Sequence, residues 1–164
     1  MRRLLLAGFT IVAIQFSAMQ GAEAKLKVGD KFPEIALNYL GTKKPFDKRS
    51  TKGKLVLVDF WASDCVPCRD AVPELNALFK QSKNLLILGV NVDENPKDAA
   101  EFLQSFKVSY PLLDDQKHEL IPKMSVDVMP TSFLLDKSGT IKLINRGFRS
   151  GDVEKIKKKL AEFS

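Results

Sequence analysis

The stretch that decides the reading of this chain is "LVLVDFWASDCVPCRDAVPEL", Leu55 to Leu75. It opens on an apolar, β-branched run, the composition of a strand buried on both faces. It then delivers the chain's two cysteines, Cys65 and Cys68, two residues apart. From about Val66 to Gln81, Leu75, Leu78 and Phe79 recur at helical spacing, so the pair sits where a strand gives way to a helix. Pro73, inside that helix, predicts a kink or a late start.

Three chemistries compete for such a pair. A closed structural zinc site takes four ligands, whereas the chain offers two cysteines and a single histidine, His118, fifty residues further on. A structural staple across so short a loop removes little unfolded-chain entropy. Redox exchange fits the placement best. Backbone N–H groups and the dipole at a helix N-terminus stabilise the thiolate that attacks disulfides. A second thiol one turn on lies within disulfide reach. Pro67 fixes φ between them and stiffens the loop. Cys65 is thus the candidate nucleophile and Cys68 the resolving thiol. The reading calls for no cofactor and no metal.

The remaining chain supplies the frame. "NLLILGVNVD" reads as a second buried strand. "NPKDAAEFLQSF" reads as a helix with Asn95 as N-cap and Pro96 at its first position. "YPLLDD" reads as a short extended piece and "HELIPKMSV" as a short helix. "TSFLLDKSGTIKLINRGF" reads as two strands joined at Lys-Ser-Gly. "DVEKIKKKLAEF" closes the chain as an amphipathic helix with Asp152 as N-cap, its lysines a solvated face. Lys25 to Lys54, rich in turn residues, holds a short strand or two. Strands alternating with helices, then a hairpin, predict an α/β three-layer sandwich on one mixed sheet, with no internal repeat.

The 164 residues suit one domain after a leader. "MRR", the apolar "LLLAGFTIVAI" and the small-x-small "AEA" read as a secretory signal peptide over residues 1–24, cleaved after Ala24, with the domain over 25–164. An uncleaved anchor is the alternative, although Gln15 interrupts the apolar run short of the ~20 residues a span needs. Export places the cysteines in an oxidising compartment, most simply the periplasm. The net charge of +6 is spread over scattered lysines, without the basic stripe interleaved with aromatics that nucleic-acid binding requires.

"VDFWASDCVPCR" resembles the thioredoxin active site, and "VMPTSFLLD" (Val128 to Asp136) resembles that fold's cis-proline segment. "VNVDENPKDAAEFLQSFKVSYPLLDD" resembles the helix insertion of the exported TlpA/ResA-like group, and the likeness covers about Val28 to Phe163. It implies a thioredoxin fold with an N-terminal extension and an inserted helix. It also implies thiol:disulfide oxidoreductase activity on protein substrates, commonly as a reductant, including in cytochrome c maturation. A reductant in an oxidising compartment needs a membrane electron donor. Site roles follow from the same resemblance. Asp59, six residues before Cys65, is the general base for Cys68, a task that a buried carboxylate's raised pKa suits. Glu94 is a second active-site carboxylate. Pro130 is cis, with the Met129 backbone offering substrate a strand-like edge. Trp61 and Phe60 pack near the site. His118 takes a surface place at a helix start.

Departures from the pattern bear on direction and specificity. Asp64 stands where thioredoxin has Trp, Val66 where it has Gly, and Met129 where it has Ile. A carboxylate beside Cys65 disfavours the thiolate and shifts the couple toward reduction of its partners. The rival readings are an oxidase or isomerase, set apart by potential, and a copper chaperone, since a soft dithiol can hold Cu(I). A peroxidase sharing the wider fold needs Pro-x-x-x-Thr-x-x-Cys, and Val58 and Ala62 stand at the Pro and Thr positions.

Overall fold

The computed structural model describes residues 25–163; the leader reading of residues 1–24 lies outside the described residues. The chain runs β1 (Asn38–Tyr39), β2 (Leu55–Trp61), α1 (Val66–Gln81), β3 (Leu85–Asn91), α2 (Pro96–Ser105), β4 (Leu112–Asp114), α3 (Ile121–Met124), β5 (Thr131–Leu135), β6 (Ile141–Arg146) and α4 (Asp152–Ala161). The strands form one six-stranded sheet ordered β1-β4-β3-β2-β5-β6. β2, β3 and β4 are parallel, while β5 runs antiparallel to β2, β6 to β5 and β1 to β4. This is the expected mixed sheet of a thioredoxin-like fold. β2 lies at its centre with all seven residues buried, which is why its sequence is continuously apolar apart from Asp59.

The pleat sends alternate residues of β2 to opposite faces. Val56, Val58 and Phe60 meet Leu88, Val90, Phe133 and Leu135 under a cover of extension and α3 residues, Leu37, Phe46 and Met124 among them. Leu55 and Leu57 meet Ile87 and Leu134 beneath Leu75 and Leu78 of α1 and Val153, Ile156 and Leu160 of α4. Trp61 continues this second face and packs with Cys68, Val72 and, on α2, Ala99 and Phe102. The extension is stitched to the far hairpin by Gly29 N–H on the Ile141 carbonyl at 2.9 Å and Phe32 N–H on the Gly139 carbonyl at 3.0 Å.

Three local expectations change. α1 runs unbroken through Pro73. Both Pro73 and Arg69, the residue whose carbonyl loses its donor, are exposed, so water can satisfy that carbonyl. The N-cap of α4 is Gly151, at φ 90°, and not Asp152. The Asp152 carboxylate instead closes the preceding turn, accepting from Arg149 N–H at 2.8 Å and Lys155 Nζ at 2.6 Å. His118 does not sit freely on the surface. It is half-buried, with Nε2 2.8 Å from the Val92 carbonyl. The start of α3 is held by the buried Asp115 carboxylate, which accepts from the N–H groups of Glu119, Leu120 and Ile121.

Gly89 is required by packing. A Cβ there would meet Leu112 Cδ2 at 2.6 Å, Tyr110 Cε2 at 3.1 Å and Trp61 Nε1 at 3.3 Å. Overpacking a closed core typically costs about 1–3 kcal/mol. Gly89→Val is therefore expected to lower stability by that amount in urea unfolding; an unchanged midpoint would show that these rings yield freely.

Candidate active site

Everything chemical gathers at one end of the sheet. β2 and β3 are parallel, so the loops after them, carrying Cys65 and Glu94, open on the same side. β5 is antiparallel to β2, so its first residues arrive there too, bringing Met129 and Pro130. The Met129–Pro130 peptide is cis.

Cys65 and Cys68 are joined in a disulfide, with Cα atoms 5.3 Å apart. Cys65 occupies the N-cap of α1, and its sulfur accepts from the Cys68 N–H at 3.2 Å. The helix start thus aims a backbone donor at the sulfur that must carry charge. The two sulfurs differ in access: Cys68 is 1% exposed whereas Cys65 is half-buried. Val66 and Pro67 between them are exposed, as is Val128, and Met129 packs in the same apolar cluster as Cys65. An apolar collar therefore surrounds the reachable sulfur.

On the same face of the sheet as Trp61, two residues before it on β2, lies Asp59. It faces the α1 side of the sheet between Leu57 and Trp61, 3% exposed. Its Oδ1 accepts from Ser132 Oγ at 2.6 Å. Burial pushes the carboxyl up from 3.8 to about 7, against the opposing pull of the Ser132 hydroxyl. Trp61 packs directly with Cys68, but Phe60 does not join the site. The pleat turns Phe60 to the opposite face, edge-on to Phe133 with centroids 6.0 Å apart.

Glu94 is exposed, and its side chain makes no hydrogen bond or ion pair among the described residues; its carbonyl accepts from Gln116 Nε2. The carboxylate that braces the active-site loop is its neighbour Asp93, which accepts from Ser63 N–H at 3.0 Å, Ser63 Oγ at 3.1 Å and Asn91 Nδ2 at 2.8 Å. Asp64 is exposed and makes no ion pair among the described residues, because Arg69 reaches instead for the Ser63 carbonyl at 3.4 Å. Both lie in a groove with Asp98, Glu101, Phe102 and Phe106. Sequence reasoning did not find Asp93, Ser132 or Tyr110. Ser132 was signalled only by lying two residues past the cis proline, on the strand next to Asp59.

A Cys-x-x-Cys disulfide capping the first helix after a central strand, with a cis proline at the same end of the sheet, defines a thioredoxin-like thiol:disulfide oxidoreductase. The chain belongs to the AhpC/TSA family, whose model matches residues 28–144, and to the ResA-like thiol:disulfide oxidoreductases. It is 31% identical over 134 residues to the thiol-disulfide oxidoreductase ResA of Bacillus thuringiensis, covering 79% of this chain and 77% of that one. With ResA of Geobacillus thermodenitrificans the identity is 33% over 150 residues, covering 88% and 82%. Among solved structures, a thiol:disulfide interchange protein DsbE from Chlorobium tepidum superposes with a TM-score of 0.78 at 32% identity, covering 84% of this chain and 98% of that one. The enzyme acts on thiols and disulfides of protein substrates.

Proposed function

We propose that this enzyme is an exported reductant of protein disulfides, most simply periplasmic, supplied with electrons by a membrane donor. The disulfides handled in cytochrome c maturation are candidate substrates. In the reduced enzyme the Cys65 thiolate attacks a substrate disulfide, forming a mixed disulfide and expelling one substrate thiolate. Asp59 then takes the Cys68 proton. The Cys68 thiolate attacks Cys65 Sγ, releasing the second substrate thiolate and leaving the Cys65–Cys68 disulfide. Two electrons pass to the substrate, and the donor restores the dithiol. Glu94, exposed at the same end of the sheet, is the solvent-side carboxylate of this scheme. Trp61, Pro67, Met129 and Pro130 form the surface against which the substrate chain lies, its backbone pairing with that of Met129.

The observation that carries the direction is Asp64, a carboxylate beside Cys65 with no ion-pair partner among the described residues. It opposes the thiolate and so raises the free energy of the reduced form. Export is supported by the basic and apolar leader sequence; among the described residues no helix is long and apolar enough to cross a membrane. Redox equilibration against glutathione or dithiothreitol tests the proposal. The expected potential lies near the roughly −270 mV of thioredoxin, and Asp64→Asn is expected to raise it by about 10–30 mV. A value near the roughly −120 mV of DsbA would make the enzyme an oxidant.

A further inference from the structure

The surroundings of Asp59 contain almost nothing that can hold a charge. On β3 its register partner is Gly89, which contributes no side chain, and Tyr110 and Trp61 close over the gap. On β5 its register partner is Ser132, whose hydroxyl makes the carboxyl's hydrogen bond. α1 brings Cys68 to this face. α4 brings the apolar Val153, Ile156 and Leu160. The next polar residue along β3, Asn91, is committed to Asp93. Tyr110 is the other titratable group close enough to interact, its phenol pushed up by burial and then by Asp59. No cation among the described residues offsets the carboxylate. Trp61 Nε1 is buried without a partner among the described residues, so it does not serve Asp59 either.

We infer that Ser132 is the positioning residue of the resolving step: its hydroxyl holds the Asp59 carboxyl in place and supplies the polar contact that lets it ionise within the working pH range. The inference rests on Asp59 acting as base for Cys68. Ser132 is 6% exposed. Its hydroxyl donates to the ionised carboxylate and can rotate to accept from the protonated acid, so it serves both states of the base. A hydrogen bond to an ionised group is the stronger of the two. Removing it therefore disfavours ionisation and leaves Asp59 protonated to higher pH.

The test is a pH series of single-turnover disulfide reduction, from pH 5 to about 9, on four full-length proteins: wild type, Ser132→Ala, Asp59→Asn and the double variant. Wild type is expected to show an inflection near 7, where Asp59 titrates. Ser132→Ala is expected to move that inflection upward by about one pH unit. At pH 7 its rate should fall roughly fivefold, and well below pH 7 roughly tenfold. The double variant is expected to match Asp59→Asn, because Ser132 acts through the carboxylate alone. If Asp59→Asn abolishes the inflection while Ser132→Ala leaves it in place, or merely scales the rate equally at every pH, the role of Ser132 is refuted and that of Asp59 stands. If Asp59→Asn leaves the profile unaltered, the base assignment itself is wrong.

Discussion

Replacing Cys65 by Ser is expected to abolish disulfide reduction, with a loss on the order of 10³-fold or more. The physical basis is specific. Cys65 is the sulfur that solvent and substrate can reach, and it caps α1, where the Cys68 N–H points at it. A serine hydroxyl at the same cap keeps the geometry but stays protonated, and so supplies no nucleophile. The loss is not a folding effect. The disulfide closes a very short loop, so its contribution to stability is only about 2 kcal/mol. Circular dichroism should therefore show a native fold while activity is gone. Cys68→Ser separates the two roles: Cys65 still attacks, nothing resolves the product, and the substrate adduct accumulates in mass spectra. Full activity of Cys65→Ser would remove the assignment of the nucleophile.

The second large effect concerns Asp59, and it is expected to move activity and stability in opposite directions. A buried carboxyl raised from 3.8 to about 7 keeps its proton in the native state over a range where the unfolded chain has lost it. Folding then takes up a proton between about pH 4 and pH 7, so stability falls as pH rises through that window. The full loss, on the order of 4 kcal/mol, is present above pH 7. Asp59→Asn has no charge to bury. It is expected to equal wild type near pH 4 and to exceed it at pH 7.5 in urea unfolding of the oxidised protein. On the proposed mechanism the same substitution removes the proton acceptor for Cys68, and release of reduced substrate at neutral pH should slow roughly a hundredfold. The enzyme would thus carry a buried acid that destabilises it because the resolving step uses that acid. A wild-type stability that stays flat between pH 4 and 7.5 would show that Asp59 ionises freely and is unsuited to the role.

Asp93 and Glu94 show what adjacent positions in a sequence leave undecided. Both are acids just past β3. Glu94 drew attention through resemblance, yet the carboxylate tied to the Cys65 loop is that of Asp93, through Ser63. Which of two adjacent side chains turns inward depends on how the chain leaves the strand. Phe60 and Trp61 present the same problem within β2. Both are large, apolar and adjacent to the motif, and only the pleat's phase against α1 decides that Trp61 reaches Cys68 while Phe60 enters the opposite core.

The sequence by itself determined the class of fold, because a central strand buried on both faces must be continuously apolar and a helix must start where the strand ends. It determined the reactive pair for the same reason: the Cys-x-x-Cys spacing and its place at a helix start are local properties. The tertiary structure alone decided what surrounds that pair. Ser132 of β5 meets Asp59 on the neighbouring β2, seventy-three residues away in the chain. Gly89 leaves the gap that Tyr110 and Trp61 fill, and Arg69 turns from Asp64 to the Ser63 carbonyl. Such contacts depend on sheet order and register, which no short window of sequence contains; among them, the burial that raises the Asp59 carboxyl and the Ser132 hydroxyl that opposes it are purely tertiary.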